Sequence, residues 1–227
     1  MKLGNSLPSS SLNVTTLSLI IGKRLGYKED RLERLGLGAF LHDIGKVKVP
    51  NSILNKPGEL TDSEFEEVKK HTIYGYEILK PQDSVPETSA RIAYQHHERC
   101  DGSGYPKGIT RRFIDEGSRI VAIADVFDSM INDRVYRPGI KVNEVIEYLY
   151  STVTQNKLDR EIVKMFLEII TPYPIGTKVK LSIGCEAVVV KINKDAKLRP
   201  VVKILNINSL NEAIEVDLKK NLSIDIV

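Results

Sequence analysis

The hydrophobic period of the chain changes once, at Pro172-Tyr173-Pro174, and that change limits the fold more than any other feature. Ahead of the prolines, apolar residues recur every three or four positions, as in Val14, Leu17, Ile21 and Leu25, then Leu32, Leu35, Ala39 and Phe40. Such spacing lays an apolar stripe along a helix. Beyond the prolines, Thr177-Lys178-Val179-Lys180-Leu181 alternates with a period of two, the mark of a half-buried strand. The expected fold is mainly α: a loose arm over residues 1–11, a helical domain over 12–172 and a small all-β module over 173–227.

Helices are expected up to Gly26, from Asp30 to Ile44, from the capping box at Thr61-Asp62-Ser63-Glu64 to Leu79, and over Glu87–Glu98 and Ser118–Asn132. Val142–Thr154 and Asp159–Ile170 complete the helical set, and two Gly- and Pro-rich loops, Lys46–Leu60 and Arg99–Gly117, interrupt it. Five strands are expected after the prolines: 177–181, Ala187–Ile192, Val201–Ile207, Ala213–Leu218 and Ser223–Val227. The abrupt start, with its Ser, Gly and Pro, predicts a further segment upstream.

Composition excludes several classes. A 41% apolar share supports a core and rules out wholesale disorder. Thirty-three Lys and Arg against 30 Asp and Glu leave +3, too little to argue for nucleic acid or an anionic membrane as obligate partner. No apolar run reaches the roughly 20 residues a bilayer demands. Two cysteines, Cys100 and Cys185, make no disulfide framework, and a reducing cytoplasm is the natural compartment.

The chemistry gathers around four histidines, His42, His71, His96 and His97. All lie at helix ends or beside Gly-rich loops. Asp43 adjoins His42, and Asp125 interrupts the apolar run Ile120-Val121-Ala122-Ile123-Ala124, where a carboxylate needs a partner or a metal. Six N and O donors without a thiolate suit iron, manganese or zinc better than calcium or copper(I). They are too many for one ion with an open position and enough for two ions sharing a carboxylate, with Asp43 the expected bridge.

His42-Asp43-Ile44-Gly45-Lys46, His71, His96-His97-Glu98, Asp101-Gly102-Ser103-Gly104-Tyr105-Pro106, Ala124-Asp125-Val126-Phe127-Asp128 and Arg134-Val135-Tyr136-Arg137 follow in order over most of the chain. Together they resemble the successive signatures of the HD-GYP family. The resemblance implies a helical HD-type bundle and a bacterial, metal-dependent phosphodiesterase acting on cyclic di-GMP to give linear pGpG or GMP. It implies His42, Asp43, His71, His96, His97 and Asp125 as ligands of two divalent ions, iron or manganese. Lys46 resembles the lysine that meets a substrate phosphate, Tyr105 lies in the Gly-Tyr-Pro loop, and Arg134 and Arg137 resemble arginines that grip phosphate or guanine. A diguanylate cyclase domain is the partner that the Gly-Tyr-Pro loop suggests.

Two departures accompany the resemblance. The family usually carries a further His on the first helix, where this chain has about Ser10, and the Glu of three-metal members would fall on Ser6. These count against a third ion and leave the first one protein ligand short. The alternative is a degenerate module that binds the dinucleotide or a partner without turnover.

Overall fold

The computed structural model describes residues 6–132, 139–205 and 214–227. Two compact units divide at Ile169 and Ile170. The first is helical: α1 (Ser6–Arg24), α2 (Glu29–Leu41), α3 (Asn51–Leu54), α4 (Asp62–Lys69), α5 (His71–Leu79), α6 (Glu87–Gln95), α7 (Glu116–Ile131), α8 (Val142–Thr154) and α9 (Arg160–Ile169).

The apolar stripes meet in one interior. Val14 and Ile21 of α1, Leu35 and Ala39 of α2, Ile92 and Ala93 of α6 and Ile120, Ile123 and Ala124 of α7 are all nearly solvent-free. α1 packs on α2 and α7, while α2 packs on α6. The α2–α6 approach is close because a Cβ on Gly38 would stand 2.5 Å from Ile92 Cδ1. Full burial of aliphatic side chains such as these contributes about 1.5–3 kcal/mol apiece before chain entropy is charged.

Three expectations for this unit are corrected. Residues 6–11, expected as a loose arm, belong to α1, because Pro8 falls in its first turn, where a backbone N–H has no helical partner to lose. The second helix stops at Leu41, and Ile44–Lys48 forms a 3₁₀ turn instead of continuing it. The helix expected to run unbroken from the capping box is two, α4 and α5, meeting at Lys70. Thr61 and Glu64 do form the capping box, with the Glu64 N–H donating to Thr61 Oγ1 and the Thr61 N–H to Glu64 Oε2.

The second unit is an antiparallel sheet ordered β1 (Lys178–Lys180), β2 (Glu186–Lys191), β3 (Val201–Ile204) and β4 (Glu215–Asp217). Alternation turns Val179, Ala187, Val189 and Val202 inward, where Leu181 and Leu218 complete a separate core. The expected fifth strand, 223–227, is not one. It meets the end of β1 through the single bridge Leu181–Ile226 and through Val227 N–H to Lys180 O at 2.9 Å.

Candidate metal centre

The centre is built from helix ends. His42 follows the last residue of α2, His71 the last turn of α4, and His96 the last residue of α6. Carbonyls in a last turn lack helical N–H partners. His42 Nδ1 donates to Ala39 O at 2.6 Å, His71 Nδ1 to Val68 O at 2.6 Å, and His96 Nδ1 to Ala93 O at 3.0 Å. Each bond fixes its ring through Nδ1 and turns Nε2 inward.

The three Nε2 atoms converge on Asp43. His42 Nε2 lies 3.4 Å from Asp43 Oδ2, while His71 and His96 Nε2 lie 3.4 and 3.9 Å from Asp43 Oδ1. The Asp43, His71, His96 and His97 donor atoms all fall within 4.8 Å of one another. Asp125 stands on the other side, with Oδ1 4.0 Å from His42 Nε2. The two oxygens of Asp43 therefore serve different neighbours: Oδ1 faces the His71–His96 pair, and Oδ2 faces His42 and the Lys46 ammonium at 2.5 Å.

A divalent cation fits this donor set. His42 Nε2 and Asp43 Oδ1 are buried without a hydrogen-bond partner, a costly state for polar atoms. His71 Nε2 and His96 Nε2 face one another at 3.4 Å although both Nδ1 atoms already carry the ring proton. Two such lone pairs attract a common cation.

The electrostatics divide the histidines. Burial works against charge on His42, but Asp43 and then Asp125 outweigh it and raise its pKa to about 9. Burial and the neighbouring imidazoles push His96 and His97 well below the usual histidine value. Burial also lowers His71, with Asp43 opposing. Asp43 goes the other way: burial would raise it, yet His42 and Lys46 hold it well below the ordinary carboxylate range. Burial thus holds His71, His96 and His97 in the neutral form that ligates a metal, whereas His42 has to release its Nε2 proton to do so.

The loop after α6 folds back over the cluster. The Tyr105 ring stacks on His97 at 4.7 Å between centroids, and its N–H donates to His97 O at 3.2 Å. Burial pushes the Tyr105 phenol upward, so it remains a neutral donor. Gly104 is obligatory here, since a Cβ would lie 2.4 Å from Arg99 N and from His97 O. Gly45 has a matching part behind the cluster: a Cβ there would meet His71 O at 1.9 Å.

The structure thus gathers His42, Asp43, Lys46, His71, His96, His97, Tyr105 and Asp125, whereas Arg134 and Arg137 lie outside the described residues. Sequence reasoning assigned nothing to Asp128, a buried carboxylate one turn beyond Asp125. It accepts from Ser10 Oγ at 2.6 Å, Asn13 Nδ2 at 2.9 Å and Asn132 Nδ2 at 2.7 Å. The available signal was a second acid in an apolar helix. Lys69 was missed too; its ammonium sits 5.6 Å from the Tyr105 ring centre.

Residues 3–162 match the HD domain family. The chain is 34% identical over 194 residues to a cyclic di-GMP phosphodiesterase of Pseudomonas aeruginosa, covering 86% of this chain and 46% of that protein. It is 40% identical over 154 residues to a cyclic di-GMP phosphodiesterase of Thermotoga maritima, covering 67% of this chain and 42% of that one. It therefore spans less than half the length of these curated relatives. Among solved structures, Bd1817, an HDGYP-type protein of Bdellovibrio bacteriovorus, superposes with a TM-score of 0.60 at 24% identity, over 72% of this chain and 52% of that one, and speaks for the fold.

Proposed function

We propose, from the premise that this chain belongs to the HD domain family, that it is a metal-dependent phosphodiesterase hydrolysing cyclic di-GMP to linear pGpG or GMP in bacterial signalling. The observation that carries the proposal is the convergence of Nδ1-anchored imidazoles on the two oxygens of one carboxylate, Asp43. Similarity to named cyclic di-GMP phosphodiesterases supports the choice of substrate.

Asp43, His71, His96 and His97 would hold one ion, and His42 with Asp125 a second, Asp43 being shared. Imidazole and carboxylate donors without thiolate favour iron or manganese. When bound, the ions would supply Lewis acidity that lowers the pKa of a water and offsets charge on the phosphoryl group. The remaining work falls to side chains. Lys46, held at the edge of the cluster, neutralises a non-bridging phosphate oxygen as the bond to the departing 3′ oxygen breaks. Tyr105 offers a neutral hydroxyl beside His97. Arg134 and Arg137 are assigned the phosphate and guanine contacts by resemblance, since guanidinium pairs with phosphate and stacks on bases. The reading places the protein in the cytoplasm, with a diguanylate cyclase domain as partner through the Gly-Tyr-Pro loop.

One observation favours a second reading. The Ser10 hydroxyl, where a first-helix ligand would stand, is engaged with Asp128, which leaves the His42–Asp125 side with fewer protein ligands than the His71 side. A module that binds the dinucleotide without turnover follows from that asymmetry.

Anaerobic purification, metal analysis and chromatography of products from cyclic di-GMP with iron(II) or manganese(II) decide between them. Hydrolysis requires at least one ion per chain and the appearance of linear dinucleotide or GMP. Tight binding of cyclic di-GMP with no product would select the second reading. Asp43→Ala is expected to abolish turnover and strip bound metal together; retained activity would overturn the assignment of Asp43.

A further inference from the structure

We propose that Glu98 is a positioning residue: its buried carboxylate is the keel around which the loop of residues 99–110 wraps, and through that loop it fixes the His97 ring. Glu98 is 2% exposed. One oxygen accepts the Lys107 N–H at 2.7 Å and the other the Ile109 N–H at 3.0 Å. Among the described residues no side-chain cation pairs with it. A buried acid without a countercharge is expensive, and bonds from backbone N–H groups to both oxygens are what offset that cost. Carboxylate and loop are therefore tied: the loop cannot lift without orphaning Glu98.

The loop's own geometry accords with a wrap. Gly102 and Gly108 both adopt positive φ, +85° and +64°, and face one another, so that a Cβ on Gly108 would lie 3.0 Å from Gly102 O. Asp101 and Thr110 pair across the loop's neck. Gly104 passes over the Glu98 backbone with no room for a side chain. This path brings the Tyr105 ring into a stack on His97, which among the described residues is the clustered histidine with no Nδ1–carbonyl bond anchoring its ring. His42, His71 and His96 are oriented by carbonyls; His97 is oriented by stacking, and stacking depends on Glu98. The loop is on this account a fixed wall of the centre rather than a moving lid.

Only the kinetic arm of the test rests on the hydrolase reading. Full-length wild type, Glu98→Gln and Glu98→Ala are compared by amide hydrogen exchange, cobalt(II) titration followed by visible absorption, and kinetics with cyclic di-GMP. In wild type the Lys107 and Ile109 amides are expected to be protected. Glu98→Ala exposes both, speeding their exchange about tenfold or more, and weakens cobalt binding about tenfold, the usual effect of removing a group that orients a ligand. Glu98→Gln keeps one acceptor oxygen and falls between, which a merely space-filling residue would not produce. Metal-saturated variants should lose kcat more than they gain KM.

Unchanged cobalt affinity in a folded variant whose two amides have lost protection would overturn the proposal, as would full protection of both amides in Glu98→Ala. If Glu98→Ala fails to fold, the graded response of Glu98→Gln carries the test. Wild type that binds cobalt and shows the exchange pattern yet hydrolyses nothing would refute the hydrolase reading and leave this one standing.

Discussion

Gly45 shows how closely chemistry and packing are interleaved at the level of single residues. It stands in the run His42-Asp43-Ile44-Gly45-Lys46, surrounded by groups that bind or pair, yet its own part is steric. The 3₁₀ turn carrying it presses on α5, and an added Cβ would meet His71 O at 1.9 Å and Gly75 N at 2.4 Å. Both obstacles are backbone, which cannot swing aside. Gly45→Ala is therefore expected to cost about 3 kcal/mol, the upper end for overpacking, and to lower metal content, because the displaced segment carries His71. Differential scanning calorimetry and metal analysis check both; an unshifted melting temperature would mean the two segments separate freely. The donors themselves were legible in the sequence, because His and Asp beside apolar helix ends are hard to explain otherwise. The fixing of each ring was not, since it depends on which last-turn carbonyls are orphaned and how each helix stops. Glu98 was visible as part of His96-His97-Glu98, but its acceptors are filled by backbone nine and eleven residues downstream, and backbone partners carry no residue type to read.

At the scale of elements, α9 is secured by one acid. Asp159 is 2% exposed and divides its oxygens: Oδ1 accepts the Glu161 N–H at 3.1 Å at the start of α9, and Oδ2 pairs with Arg111 Nε at 2.9 Å and with Arg119. The loop after α6, the first turn of α7 and the start of α9 are thereby joined. Burial would raise Asp159, but the hydrogen bonds and charges of Arg111 and Arg119 hold its pKa below the ordinary value. Its stabilising contribution is thus complete above the unfolded value of about 3.9 and fades as pH falls through the lower folded value. Asp159→Asn is expected to destabilise by about 3 kcal/mol at neutral pH and to flatten the loss of stability below pH ~4. Urea unfolding at pH 7 and pH 3 measures both, and parallel acid profiles for the two proteins would exclude the pairing. Element boundaries were the least legible part. The capping box announced α4, but nothing local marks the break at Lys70. The tail at 223–227 has the alternation of a strand, and its pairing is settled by distant residues in β1.

For the molecule as a whole, the change of period at the prolines did announce two kinds of structure. Each has its own interior, Val14 to Phe166 among helices and Val179 to Leu218 within the sheet. The candidate metal centre lies within the first, and the residues that would hold an ion come from positions 42 to 125, more than eighty residues apart. Such a site exists only after α2, the α4–α5 joint, α6 and α7 have come together. A cation that binds the assembled chain and not the unfolded one adds about 2.7 kcal/mol at a hundredfold excess over Kd. Manganese(II) should accordingly raise the melting temperature of the helical unit and leave that of the sheet where it is. Chelation should reverse the rise, and Asp43→Ala should abolish it. An equal shift in Asp43→Ala would place the cation elsewhere. Seen this way, a bound ion would also be a fastener: it would close one loop from position 42 to position 125 in a chain whose two cysteines are free, and it could be removed and replaced without cutting a covalent bond.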